Sequence, residues 1–213
     1  MKSYAKAKPP EQARSIASMN RMLKAGEELF YEGGSSALTL DAVIERAGTS
    51  TGSFYARFGD MRGFLDAMHM RVLEQVSVEV LEVIASASKQ PDLESGIRKI
   101  CIDGFKVVSR NRTSLYFFAV GNSSDPHWRA MGTNFNLGMS DGVLQLIEVH
   151  LSKAKSAAEK RRRDSAVRMM IAATFQQIML DQNEISRIKV NEKESALALA
   201  DMVCLYLRAT PSK

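Results

Sequence analysis

Residues 39–58 read TLDAVIERAGTSTGSFYARF. In the first half, Leu40, Val43, Ile44 and Ala47 recur at the spacing of one helical face. Thr39 before them suits an N-cap, and Asp41 falls in the first turn, where the helix dipole favours an acid. Gly48 stands at the position that ends such a short helix. Two residues later Ser50 can cap a second helix, about Thr51 to Phe58, whose buried face comes from Phe54 and Phe58, four apart. Two short helices joined by a tight turn have the dimensions of a helix-turn-helix. At about 100° per residue, Thr49, Gly52, Ser53 and Ala56 share the face opposite the phenylalanines. Such small residues are odd on a solvated surface, and Gly52 costs about 1 kcal/mol of helix stability relative to alanine. Lying in a DNA major groove is a sufficient reason for them. Ser50 and Thr51 can then donate to phosphates beside the helix N-terminus, and Arg57 is long enough to reach a guanine edge. The bland alternative is a helical corner with no ligand.

Upstream, Met22, Leu23, Gly26, Leu29 and Phe30 mark one helical face that stops at Gly33-Gly34. Residues 1–24 carry six basic side chains (Lys2, Lys6, Lys8, Arg14, Arg21 and Lys24) against the single acid Glu11, which accounts for the whole net charge of +5. Residues 1–19 therefore read as a basic flexible arm, either a solubilising tail or a ligand for phosphates and the minor groove. Residues 20–66 read as the helix-turn-helix domain, and residues 67–213 as a second, helical domain.

Downstream, Asp60 can cap a long helix marked by Phe64, Leu65, Met68, Val72, Val76 and Val80, running to about Ala87 and closed by Pro91. Further helices are expected over about 93–109, through Leu115 to Val120, over 128–153, from Ser156 to about Glu184, and over 192–208. Residues 121–126 form the clearest loop of this half. Between Ser195 and Leu207 the only charge is Asp201, so the last helix should be buried on nearly all sides, by its own domain or by a second subunit.

Composition agrees with an all-α chain. Of 213 residues 45% are hydrophobic and 25% charged, and 13 Gly and 5 Pro leave long stretches free to be helical. Cys101 and Cys204 are too few for a disulfide framework and fall on apolar helix faces, as core thiols do. His69, His127 and His150 have no partners at ligand spacing, so no metal and no cofactor is expected. Arg161, Arg162 and Arg163 read as a solvated face. No phosphate loop, nucleophile elbow or paired-carboxylate context stands out, which argues against an enzyme. The first ten residues lack the apolar core of a signal peptide, and nowhere do about 18 uncharged apolar residues run together. A cytoplasmic protein, nucleoid-associated when bound to DNA, is expected.

The run from Thr39 to Phe58, with Gly59-Asp60 and Phe64-Leu65 after it, resembles the DNA-binding segment of the TetR family of bacterial transcriptional regulators. The likeness covers about Met22 to Val72 and rests on the core Ala-Gly-x-Ser-x-Gly-x-x-Tyr-x-x-Phe. It implies an N-terminal three-helix module, a long linking helix and an all-helical effector domain that dimerises through its last two helices. It makes Thr39 and Tyr55 phosphate contacts, and sets Thr49, Ser50, Thr51, Ser53, Ala56 and Arg57 on or near the readout surface, with Gly52 among them. Two departures stand out. Where the family often has a phosphate-gripping basic residue the chain has Met61, with Arg62 as a substitute, and where the family usually has an acid that completes a capping box with Asp60 it has Gly63.

In the effector domain the resemblance implies an apolar pocket for a largely apolar small molecule. Its candidate lining is Phe105, Tyr116, Phe118, Trp128, Met131, Phe135, Phe175 and Met179, drawn from a group that also holds Phe117 and Met139. Arg129, Gln145 and Gln176 are candidate polar anchors. For any one of the apolar residues plain core is the simpler reading. The expectation is thus a homodimeric, ligand-responsive repressor on a palindromic double-stranded DNA operator. The competing readings are a helical small-molecule sensor with a vestigial DNA module and an all-α enzyme.

Overall fold

The structure, a computed structural model, describes residues 10–118, 124–180 and 187–209; all the regular structure in them is helical. The chain divides into two compact units between Arg71 and Val72.

The first unit holds α1 (Pro10–Gly33), α2 (Leu40–Ala47), α3 (Thr51–Phe58) and the first turns of α4 (Met61–Ala87), with a 3-10 turn at Gly34–Ala37. Helix α1 begins twelve residues before the apolar face that marks it in the sequence. Its first three turns hold the good helix formers Glu11, Gln12, Ala13, Arg14 and Ala17 and open with Pro10 at a helix start, so they are helical by propensity without an amphipathic signature. They reach back into the segment read from sequence as a basic arm, residues 1–9 of which lie outside the described residues.

Met22, Val43, Phe54 and Phe64 are fully buried and hold this unit together. The rings of Phe54, Phe58 and Phe64 form a triangle with centroids 5.1 to 5.3 Å apart, within the range of favourable aromatic pairing. Gly26 lets α1 approach α4 closely: a Cβ there would lie 2.5 Å from Phe64 Cζ and 2.9 Å from Met68 Sδ. On the outside, Arg46 at the end of α2 donates both arms of its guanidinium to Glu32 of α1 at 2.8 Å, which holds the Glu32 carboxyl below its usual range. Arg71 pairs with Glu27 at 2.8 Å.

The second unit takes the later turns of α4 and adds α5 (Leu93–Arg110), α6 (Arg112–Tyr116), α7 (Pro126–Leu151), α8 (Ala157–Met179) and α9 (Glu192–Arg208). Each long helix begins on a side-chain cap. Asp92 accepts from the Ser95 N–H at 2.8 Å, Asp125 caps α7 with Pro126 behind it, and Ser156–Glu159 and Asn191–Glu194 form reciprocal capping boxes. Helix α8 ends at Met179, short of the expected Glu184. Residues 119–123 and 181–186, which include the end of the expected helix at 115–120 and half of the expected loop, lie outside the described residues.

The core of this unit is built on the fully buried Ile97, Leu146, Ile147, Val167, Ala196 and Ala200. Helices α5 and α9 pack together and are tied at the rim by Arg98–Asp201 (2.6 Å) and Arg208–Glu94 (2.9 Å). Both cysteines sit in this core; burial pushes the Cys101 thiol up to about 12 and Cys204 upward too, which makes them poor nucleophiles.

The arginine triplet does not form one solvated face. Arg161 is exposed, but Arg163 is buried and its Nη1 donates to the Ser152 carbonyl at 2.6 Å, closing the end of α7. Ser152 itself has φ +62° and ψ 178°, a region that glycine alone enters without strain. Ser152→Gly should therefore raise stability by about 1 kcal/mol, the relieved strain exceeding the extra freedom glycine gives the unfolded chain. Urea unfolding followed by far-UV circular dichroism would measure it; a loss of stability would show that the serine conformation is unstrained.

Candidate DNA-binding site

The turn between α2 and α3 is set by its own residues. Thr39 Oγ1 accepts from the Ala42 N–H at 3.2 Å and starts α2. Gly48, at φ +58° and ψ 49°, ends it in the left-handed conformation that other residues enter at a cost. Ser50 Oγ accepts from the Ser53 N–H at 3.2 Å and starts α3 at once. The acceptor role leaves the Thr39 and Ser50 hydroxyl protons free to donate outward.

Helix α3 turns Phe54 into the core and leaves the opposite side open. Thr39, Ser50, Thr51, Gly52, Tyr55 and Ala56 are exposed, and Thr49, Ser53 and Arg57 are half-buried at the margin. The Tyr55 ring, 48% exposed, stands edge-on to Phe54 and carries its hydroxyl on a rigid base. A Cβ at Gly52 would meet nothing within 4 Å. Intrachain packing therefore gives no reason for a glycine there, although it lowers helix stability.

Arg57 is turned back on the protein. Its Nε donates to the Ser15 carbonyl of α1 at 3.2 Å and its Nη1 to the Ser53 carbonyl at 2.8 Å. Arg62, exposed at the start of α4, donates through Nε to Asp66 Oδ1 at 3.0 Å.

The start of α4 explains one departure from the family pattern. Asp60 Oδ1 accepts from the Gly63 N–H at 2.8 Å, so half of the expected capping box forms. The other half has no room: a Cβ at position 63 would lie 2.0 Å from the Phe58 carbonyl oxygen and 3.1 Å from its carbon. The two-residue turn Gly59-Asp60, with Gly59 at φ +76°, folds the end of α3 against the first turn of α4. Nothing in a single sequence announces this contact.

In the second unit the candidate effector residues fall into three groups. Phe105, Phe118 and Trp128 are buried; Phe118 lies edge-on to Trp128 at 5.3 Å and to Phe117 at 4.9 Å. Met131 and Phe135 are half-buried on α7, and Tyr116, Phe175 and Met179 are exposed. Of the candidate anchors, Arg129 and Gln145 are exposed and Gln176 is half-buried.

A family sequence model described as bacterial regulatory proteins, tetR family, matches residues 22–68, a span that takes in α2, α3 and the start of α4. Over that span the chain is similar to the tetR family. The matched span contains the helix-turn-helix formed by α2 and α3. Solved structures reproduce the all-helical fold beyond that module. A TetR/AcrR-family transcriptional regulator from Thermobifida fusca is 14% identical with a TM-score of 0.63, over 91% of this chain and 98% of its own. Salmonella enterica GusR is 16% identical with a TM-score of 0.62, over 96% and 100%. The TetR-family regulator PfmR from Thermus thermophilus is 14% identical with a TM-score of 0.60, over 86% and 96%. No curated protein sequence matches the chain. Among the described residues, no helix is long and apolar enough to cross a membrane.

Proposed function

We propose that the chain is a ligand-responsive repressor that binds a palindromic operator as a homodimer, acting in the cytoplasm by binding rather than by catalysis. The observation that carries the DNA-contacting part is Gly52. It sits on an exposed helix face of small residues, meets nothing in its own chain, and gains a purpose only when another surface comes close. Thr49, Ser50, Thr51, Gly52, Ser53 and Ala56 line that face, with Thr39, Tyr55 and Arg62 beside it for phosphates and Arg57 at its edge.

A palindrome calls for two copies, and the second unit offers a face for the pairing. Met169, Phe175 and Met179 of α8 and Met202, Leu205 and Tyr206 of α9 are exposed, and the two helices pack together. Single exposed apolar residues are ordinary, but six on two adjoining helices suit an interface. A largely apolar effector fits the aromatic and methionine content of α6 to α8. By linkage, a ligand that loosens the protein from DNA must bind free protein more tightly than DNA-bound protein. Helix α4 runs unbroken through the boundary between the units and is a route for that coupling.

Thr39→Ala or Tyr55→Phe should weaken binding to all sequences alike, since each removes a phosphate donor and no base contact. Fluorescence anisotropy on specific and scrambled duplexes would check this, and a loss confined to one sequence would reassign the residue to base readout. The whole reading is tested by capturing genomic DNA fragments on the purified protein at about 150 mM salt, where non-specific basic binding fades. A recovered short palindrome supports it. The absence of any enriched sequence favours the sensor with a vestigial module, to which Met61 and the pairing of Arg62 with Asp66 already lend some weight.

A further inference from the structure

We infer that the first turns of α1, before Met22, are a second DNA-contacting element, docked on α3 by Arg57 and presenting Arg14 to the phosphates that flank the half-site. This rests on the DNA-binding reading and extends it to a segment outside the matched family region.

One guanidinium joins the two helices. Arg57 Nε holds the Ser15 carbonyl at 3.2 Å while its Nη1 holds the Ser53 carbonyl at 2.8 Å, and Ser53 belongs to the face proposed to enter the groove. The beginning of α1 therefore lies one side chain away from the readout helix. Residues 13–17 are all exposed and the buried stripe of α1 starts at Ser18, continuing through Met22, Ala25 and Leu29. The overhanging turns thus gain little from burial, which is where most helices in proteins get their stability. Arg14, one helical turn before Ser18, lies on the prolongation of that stripe past the end of the core, with its side chain in solvent. Arg14 and Arg21 have one acid near them in the sequence, Glu11, so the element carries a surplus of positive charge.

The two arginines then have different tasks. Arg57 is a positioning residue with two of its three nitrogens engaged on backbone, and Arg14 supplies the charge that meets DNA. A phosphate contact from each of two protomers adds about 1.8 to the slope of log affinity against log salt. With an unchanged intercept at 1 M salt, that slope corresponds to a roughly thirtyfold difference in affinity at 0.15 M.

The test measures full-length protein on a mixed-sequence duplex of about 30 base pairs over a salt series, and in parallel selects binders from a library of randomised duplexes. Arg14→Ala should lower the slope by about 1.8 and leave the selected motif unchanged. Arg57→Gln, which cannot span both carbonyls, should reproduce that loss, and the double variant should be no worse than either single one, as expected of residues acting through one another. A wild-type slope for Arg14→Ala overturns the inference. So does an Arg57→Gln variant that keeps the slope but relaxes the motif at one base pair, since Arg57 would then read a base. Wild-type protein that binds neither duplex nor library would instead refute the DNA-binding reading itself.

Discussion

Gly63→Glu, which restores the acid usual in the family, should destabilise the DNA-binding unit by about 3 kcal/mol or more, and Gly63→Ala by nearly as much. The clash begins at Cβ, 2.0 Å from the Phe58 carbonyl oxygen, so the chemistry of the rest of the side chain cannot relieve it. The obstacle is backbone, which cannot swing aside as the tip of a flexible side chain can. Phe58 is also held by its ring in the triangle with Phe54 and Phe64, so moving its carbonyl disturbs the core. Overpacking of this kind costs about 1 to 3 kcal/mol and occasionally more, and here the shift must enter the turn that fixes α3 against α4. Urea unfolding followed by circular dichroism should show an early transition for the first unit in both variants. DNA affinity should fall with it, because α3 is held through that turn. Wild-type stability in Gly63→Ala would mean that the turn between Phe58 and Met61 opens freely, and the family acid would be admissible after all.

Some of these features are written in local sequence and others arise only from contacts between distant segments. The caps at Thr39, Ser50 and Asp60, the left-handed Gly48, and the buried Phe54 and Phe64 follow from local rules, since each depends on residues within four positions or on periodicity. Gly63 and Gly26 depend on what another segment places against them, and a glycine looks the same in sequence whether it faces a carbonyl, a ring or open space as at Gly52. The early start of α1 was hidden because propensity without burial leaves no periodic mark. Arg57 was legible as a long basic residue on the readout helix, but its hydrogen bond to Ser15 spans 42 positions. The last helix shows the same limit from another side. Its near lack of charge announced burial all round, yet within one chain Ala196, Leu199, Ala200, Val203, Cys204 and Leu207 are covered while Met202 and Leu205 stay 61% and 68% exposed.

That uncovered half of α9 leads to the second large effect: Leu205→Arg should convert the proposed dimer into a monomer. In the isolated chain the change is cheap. Leu205 is mostly in solvent, substitutions at such positions usually stay within about 0.5 kcal/mol, and an arginine there lies one turn after Asp201, where opposite charges attract. In a two-fold dimer through α8 and α9 the same residue enters the interface twice, because each protomer presents the same patch. Two guanidiniums would then be set in an apolar interface beside Met202 and its counterpart, with a desolvation penalty of several kcal/mol. Sedimentation velocity at micromolar concentration should show the mass of one chain in place of two, with unchanged helix content. The thermal midpoint of the wild type, but not of the variant, should rise with protein concentration, since association stabilises only the folded state. Binding to a palindromic duplex should collapse to that of a single half-site, because the second recognition helix is no longer tethered to the first. If Leu205→Arg keeps the wild-type mass, the pairing face lies elsewhere and α9 owes its apolar exposed side to another partner.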